Sequence, residues 1–183
     1  MTLATQSVLL GLDDSKISAL TADTSSALTY AASIDVPGIQ NISLQSNYQQ
    51  KSLYADEKVR DYYAQFDSVS WVINNAQVSL NVLTILEGGS ITSSGTSPNQ
   101  VNTYTLSNSS IPQYFKLEGK VNYSSSTVGD FHMVLYKCKV GKLQVLYKCQ
   151  NYAVVSATGL AIATVNNGKI RDDIINQTAV NIQ

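Results

Sequence analysis

This sequence predicts a mainly β fold with one helix, on three observations. Several segments alternate apolar and polar residues. The cleanest places Phe115, Leu117, Val121 and Tyr123 on one parity and Lys116, Glu118, Lys120 and Asn122 on the other. Only the run from Ala76 to Leu86 combines helical spacing with a glycine stop. Between these segments lie polar breaks rich in Gly, Ser and Asn.

The chain has 183 residues, enough for one domain with a real core. Residues 1–25 are polar apart from Val8, Leu9 and Leu10, and read as an N-terminal arm preceding a single domain over 26–183. Within 27–34, ALTYAASI suggests a first strand, and Pro37-Gly38 punctuates it. From Ile39 to Gln49, Ile42, Leu44 and Tyr48 share one parity, which marks a strand with one buried face. Ser52–Gln65 follows as a long, charged, tyrosine-bearing loop. Ala55–Lys58 could turn it into a hairpin projecting from the sheet. Tyrosine is enriched at protein contacts, so this loop supplies the contact candidates Tyr54, Asp56, Glu57, Lys58, Arg60, Asp61, Tyr62 and Tyr63.

Val69, Trp71 and Ile73 define the next strand. Asn75 is read as the N-cap of a helix over about 76–87, and Gly88 as its glycine stop. Leu80, Leu83 and Leu86 should pin that helix to the sheet. They join Trp71, Ile73, Phe115 and Leu117 as the expected core. Gly89–Gln100 reads as a loop, and Val101–Leu106 as a short strand. The strand beginning near Gln113 turns at Ser124–Asp130 and returns over Phe131–Val140. Gly141 then precedes a separate shorter element through Tyr147. Tyr152–Val165 is apolar and rich in small residues. Asn167-Gly168 signals a hairpin into a last strand at Ile170–Ile175.

Composition narrows function. Charged residues make up 14% and the net charge is -1, which argues against a nucleic-acid binder that relies on a basic field. No run reaches the roughly 18 apolar residues of a membrane span. Asp13, Asp14 and Lys16 interrupt the first 20 residues, so an intracellular product without a membrane anchor is expected. Cys138 and Cys149 could pair across a hairpin; in a reducing compartment two packed thiols are the favoured reading.

The single histidine, His132, reads as structural, and no metal site or cofactor is expected. Asp172 and Asp173 are strand neighbours facing opposite ways, so they do not form a catalytic pair. Enzymatic activity is not expected. Lys137, Lys139, Lys142 and Lys148 suggest a solvated edge, or charge meeting a neighbouring subunit.

Three segments, in this order and spacing, carry a resemblance. LYADEK at 53–58, WVINNA at 71–76 and LEGG at 86–89 form the first. PQYFKLEGKV at 112–121 and SATGLAIATVNNGKI at 156–170 are the others. Together the chain resembles the tail tube (major tail) proteins of tailed bacteriophages. The resemblance implies a β-sandwich or incomplete barrel flanked by the helix. It further implies hexameric rings stacked into a tube, with Ser52–Gln65 as the stacking loop. Implied partners are other copies of the chain, a tape measure protein and, in a contractile tail, a sheath protein. Double-stranded DNA would pass through the lumen without sequence-specific binding. The implied location is the virion tail, after synthesis in the bacterial host cytoplasm. The alternative is a β-sandwich module binding glycan or host surface through its Tyr- and Asn-rich loops.

Overall fold

A computed structural model describes residues 9–123, 129–147, 149 and 153–182. Parts of the expected turn at Ser124–Asp130, the start of the Tyr152–Val165 segment, Lys148 and Val8 lie outside the described residues. The fold is mainly β with one helix, as expected. The strands are β1 (Leu9–Asp23), β2 (Leu28–Tyr30), β3 (Ile34–Asp35), β4 (Ile39–Ala55) and β5 (Lys58–Asn75). After helix α1 (Leu80–Glu87) come β6 (Ser90–Ser94), β7 (Val101–Thr105), β8 (Phe115–Tyr123), β9 (Asp130–Leu146), β10 (Val154–Ala161) and β11 (Arg171–Asn176).

Nine strands form one antiparallel sheet along the path β2-β1-β8-β9-β10-β5-β4, with β3 on β1 and β11 on β9. The sheet curls over its own core. Ile42 of β4 lies over Gly119 of β8, where an added Cβ would sit 3.0 Å from Ile42 Cδ1 and 3.0 Å from Met133 Cε. The core contains Ile17, Trp71, Ile73, Phe115, Leu117 and Leu135, and α1 adds Val82, Ile85 and Leu86.

Trp71 is the largest fully buried side chain. Its ring meets Phe115 edge-on, centroids 5.6 Å apart at 77°, an arrangement that suits the ring quadrupoles. Gly159 pairs with Trp71 across the β5–β10 ladder. A Cβ there would stand 2.0 Å from the Lys139 carbonyl oxygen and 2.6 Å from Trp71 Cζ2. Only glycine admits this approach.

Several elements differ from the sequence reading, each for a physical reason. The segment Leu9–Asp23 is not an arm. It is β1, hydrogen-bonded to β8 from Leu9↔Tyr123 to Ala19↔Phe115. Its polar appearance misleads because Ser15 and Ser18 are themselves buried, and Ser15 Oγ donates to the Glu118 carbonyl at 2.9 Å. Asn75 does not cap the helix. It ends β5, and its Nδ2 donates to the Gln77 carbonyl at 2.5 Å. The helix starts later, behind Ser79, and Gly88 closes it in the left-handed conformation (φ 77°) with its N–H on Thr84 O. Within 89–100, Ser90–Ser94 pairs with β7 as a separate two-stranded sheet. Tyr104 anchors that sheet on the helix by donating to Glu87 Oε2 at 3.1 Å. Gly141 does not break the chain into two elements. It is the extra residue of a bulge, where Thr158↔Lys142 gives way to Gly159↔Val140, and β9 continues through it. Asn167-Gly168 turns the chain, with Gly168 at φ 70°. No β10–β11 hairpin results, because both strands pair in succession along the same edge of β9.

Asp23 locks the end of β1 to that turn. It accepts from Lys137 Nζ at 2.6 Å and from the backbone amides of Val165 at 2.8 Å and Asn166 at 3.2 Å. Burial works to raise its pKa, but Lys137 and the two amides outweigh that and hold it below the ordinary carboxylate value.

Two outcomes are expected. Gly159→Ala should destabilise the fold by about 3 kcal/mol, because the added methyl meets backbone rather than a yielding side chain; a denaturant midpoint close to that of wild type would refute the packing argument. Asp23→Ala should cost roughly 3 kcal/mol, since it strands the half-buried Lys137 ammonium and leaves the Val165 and Asn166 amides without their acceptor. The contribution of Asp23 is fully present above the unfolded carboxylate pKa of about 3.9 and is lost as pH falls through the depressed folded value. The variant's stability should therefore change less than that of wild type on acidification below about pH 4, measured by urea melts at several pH values.

Candidate assembly interface

The curled sheet keeps β4 and β5 covered only at one end. From Tyr48 to Asp67 every residue is exposed, yet the two strands stay paired down to Ala55↔Lys58. The expected loop Ser52–Gln65 is thus the outer part of a two-stranded ribbon. Tyr48 to Ala55 spans about 25 Å at strand rise. The ribbon reverses at Asp56 and Glu57, with φ of 52° and 60°. Positive φ at both central residues matches the twist of antiparallel strands, though glycine or asparagine adopts it at lower cost. Arg60 and Asp56 form a 2.8 Å ion pair at the tip. Exposed as it is, it contributes little to stability.

Two bulges reset the register. Asp67 is extra between Asn47↔Ser68 and Tyr48↔Phe66, and Arg60 is extra between Leu53↔Asp61 and Tyr54↔Val59. Directly opposed residues share a face. One face therefore carries Tyr48, Phe66, Tyr62, Tyr54 and Val59; the rings of Tyr48 and Phe66 meet at 5.8 Å. The other carries Gln49, Gln65, Lys51, Tyr63, Asp61 and Lys58, together with Leu53. There Tyr63 Oη donates to Gln65 Oε1 at 2.5 Å. The aromatic face continues the core face without changing side: Ile42 and Leu44 oppose Ile73 and Trp71 further down the same strands.

The eight contact candidates all lie on the ribbon, but not together. Tyr54 and Tyr62 share the aromatic face, while Tyr63, Asp61 and Lys58 face the opposite way, and Asp56 and Glu57 form the turn. Sequence reading missed Phe66 and Val59, and took Tyr48 as part of the body. Of the expected core residues, Trp71, Ile73, Leu83, Leu86, Phe115 and Leu117 are buried and Leu80 is half-buried. Val82 and Ile85 contribute more to the core than Leu80 does.

A second surface lies on the outer side of the sheet. Tyr114, Lys139, Val140, Leu160 and Ile162 line a shallow cleft of about 290 Å³. The ammonium groups of Lys137 and Lys139 lie 5.2 and 4.8 Å from the centre of the Tyr114 ring. Lys137 finds its carboxylate within the chain, at Asp23, and not on a neighbour. Lys139 makes no ion pair among the described residues.

The remaining polar groups pair locally. His132 Nε2 lies 3.1 Å from both Asp130 Oδ2 and the Val180 carbonyl oxygen. Asp130, which sequence reading did not single out, is fully buried and accepts from Asn176 Nδ2 at 2.7 Å and Val180 N at 2.8 Å. Asp172 accepts from Lys169 and Tyr136, while Asp173 pairs with Arg171. Both cysteines are free; Cys138 is buried and Cys149 exposed, so only the first packs as expected. Among the described residues no three His, Cys, Asp or Glu side chains gather as a metal site, and no helix is long and apolar enough to cross a membrane.

Fold and surface together define a mainly β domain with an incompletely closed sheet and a projecting, two-faced ribbon. The chain matches no protein-family model, and no curated protein matches it significantly.

The turn yields a test. Replacing Asp56 with Asn and Glu57 with Gly should relieve the left-handed strain and stabilise the ribbon locally by about 1–2 kcal/mol. Amide exchange along 48–67 should slow roughly tenfold; unchanged exchange would mean that the turn stores no strain.

Proposed function

We propose that this chain is a structural subunit that assembles with copies of itself into stacked rings, forming the tube of a phage tail through which the genome is delivered. One observation carries the reading: a ribbon of twenty consecutive exposed residues, Tyr48 to Asp67, keeps its strand pairing and carries large apolar side chains into solvent. An isolated two-stranded ribbon is marginal in water, and exposed apolar patches of this kind mark contact surfaces. The outer edge of β4 lacks a strand partner among the described residues. A long open edge invites pairing with another chain. Head-to-tail contacts that close in rotation make rings, and a second contact along the axis makes a tube. The order of the LYADEK, WVINNA and LEGG segments supports the tail-tube form of this reading over a generic self-assembling one. A tape measure protein and, in a contractile tail, a sheath protein would be its partners. DNA would pass through without being held by sequence.

Purified protein at high concentration should form rings or tubes of uniform width by negative-stain microscopy. Deleting Tyr54–Tyr63 should preserve the far-UV spectrum and block stacking. A wild-type protein that stays monomeric, even with tail initiators present, would overturn the proposal. A monomer with a clear glycan-array signal would point to a surface-binding module instead.

A further inference from the structure

We infer that the ribbon's two faces have different roles: the aromatic face is buried against a second copy of this chain, seated in the lysine-rimmed cleft around Tyr114, Leu160 and Ile162. The inference rests on the self-assembly reading above and adds to it which face binds and where.

The face is chosen by register. Cross-strand pairing puts Tyr48, Tyr54, Val59, Tyr62 and Phe66 on one face, all between 42% and 69% exposed. They form a strip some 25 Å long at strand rise, broken by the Gln50–Ala64 pair and by Ser52 opposite Tyr62. The opposite face is mostly amide and charge, and its tyrosine is already hydrogen-bonded to Gln65 within the ribbon. Burying the first face removes aromatic surface from water with few polar groups to desolvate. Burying the second would strip water from Lys51, Asp61 and Lys58.

The seat is chosen by complementarity. The cleft is apolar at its centre, where Leu160 is 48% exposed and Ile162 36% exposed. Lys139 stands at its rim without a carboxylate partner among the described residues, and Lys142 is exposed nearby in the same strand. The ribbon's turn supplies Glu57, which forms no ion pair among the described residues; Lys58 and Asp61, also outside any ion pair there, lie on the opposite face. An apolar strip with a carboxylate at its turn thus matches an apolar cleft with one unpaired lysine at its rim, and one chain carries both. Two unlike surfaces on one chain join copies head to tail. Charge at the rim fixes orientation and register more than it adds affinity.

The test uses the full chain in four forms: wild type, Tyr62→Ser/Phe66→Ser on the aromatic face, Tyr63→Ser/Gln65→Ala on the opposite face, and Leu160→Asp/Ile162→Asp in the cleft. Circular dichroism melts check that each folds. Sedimentation velocity over a concentration series reads association. The aromatic-face and cleft variants should each associate at least a hundredfold more weakly than wild type, and the opposite-face variant should match wild type. Mixed together, the aromatic-face and cleft variants retain one intact cleft and one intact ribbon between them, and should form a 1:1 dimer that neither forms alone. If the cleft pair fails to fold, the milder Leu160→Ser/Ile162→Ser replaces it in both arms. Assembly by the aromatic-face variant at wild-type strength, absence of the mixed dimer, or wild-type association that stops at a symmetric dimer would overturn the inference while leaving self-assembly standing. A wild type monomeric at every concentration would overturn both.

Discussion

The close approach of Trp71, Gly159 and the Lys139 carbonyl is the contact on which the rest of the fold depends. It lies where three strands meet: β5 brings the indole, β10 the glycine and β9 the carbonyl. A side chain at Gly159 would push β9 and β5 apart, and β9 is the strand that β8, β10 and β11 share. The indole carries a cost of its own. Its Nε1 is buried with no hydrogen-bond partner among the described residues, so the ring's apolar burial and its contact with Phe115 offset an unsatisfied donor. The bulge at Gly141 belongs to the same solution. It lets β9 stay paired with β10 on both sides of Gly141, so the strand continues for 17 residues.

From this centre the sheet closes on one side and stays open on the other. Asp23 fastens the turn after β10 to the end of β1, and Asp130 fastens the C-terminal segment to β9. Both carboxylates are ionised inside the protein because amides and a cation or imidazole stand against them. That order is bought with hydrogen bonds rather than with apolar area. Among the described residues no comparable clamp acts on β4 and β5 beyond Asn47 and Ser68. There the pairing continues on cross-strand contacts alone.

How much was legible in the sequence follows from where alternation is undisturbed. The strand around Phe115 and the Trp71 half of β5 were readable because one face is buried there. The glycine stop of the helix was readable because Gly88 is needed in a left-handed conformation. The N-terminal strand was hidden by its serines, which are small enough to sit in the core when their hydroxyls are bonded to the backbone. Asn167-Gly168 was marked as a turn and does turn the chain, while Asn75 was marked as a helix cap and instead ends β5; a local signal cannot say what the chain does next. The ribbon's tip was visible at Ala55–Lys58; its full length, Tyr48 to Asp67, and its sidedness were not. Tyr62 and Phe66 sit on the opposite sequence parity from Trp71 and Val59, so no single period groups them. Only the two bulges, at Asp67 and Arg60, bring them onto one face.

Those bulges also bear on the proposed assembly. A bulge is an extra residue that increases local twist, and each costs a ladder hydrogen bond on a ribbon that is already marginal. Without them, Phe66 and Tyr62 would turn to the amide-rich side, and the aromatic strip would be split between two faces. A ribbon needed only as a spacer gains nothing from that correction. A ribbon that must lay all these aromatic side chains on a partner from one face does. The same reasoning separates the two ways copies could meet. Aromatic face against aromatic face would be self-complementary and would stop at two chains, leaving the cleft around Leu160 open to water. A strip that matches a different surface of the same chain leaves one of each unpaired after every addition. On the proposed reading, this is why the apolar surface is divided between ribbon and cleft: division lets association continue beyond a pair.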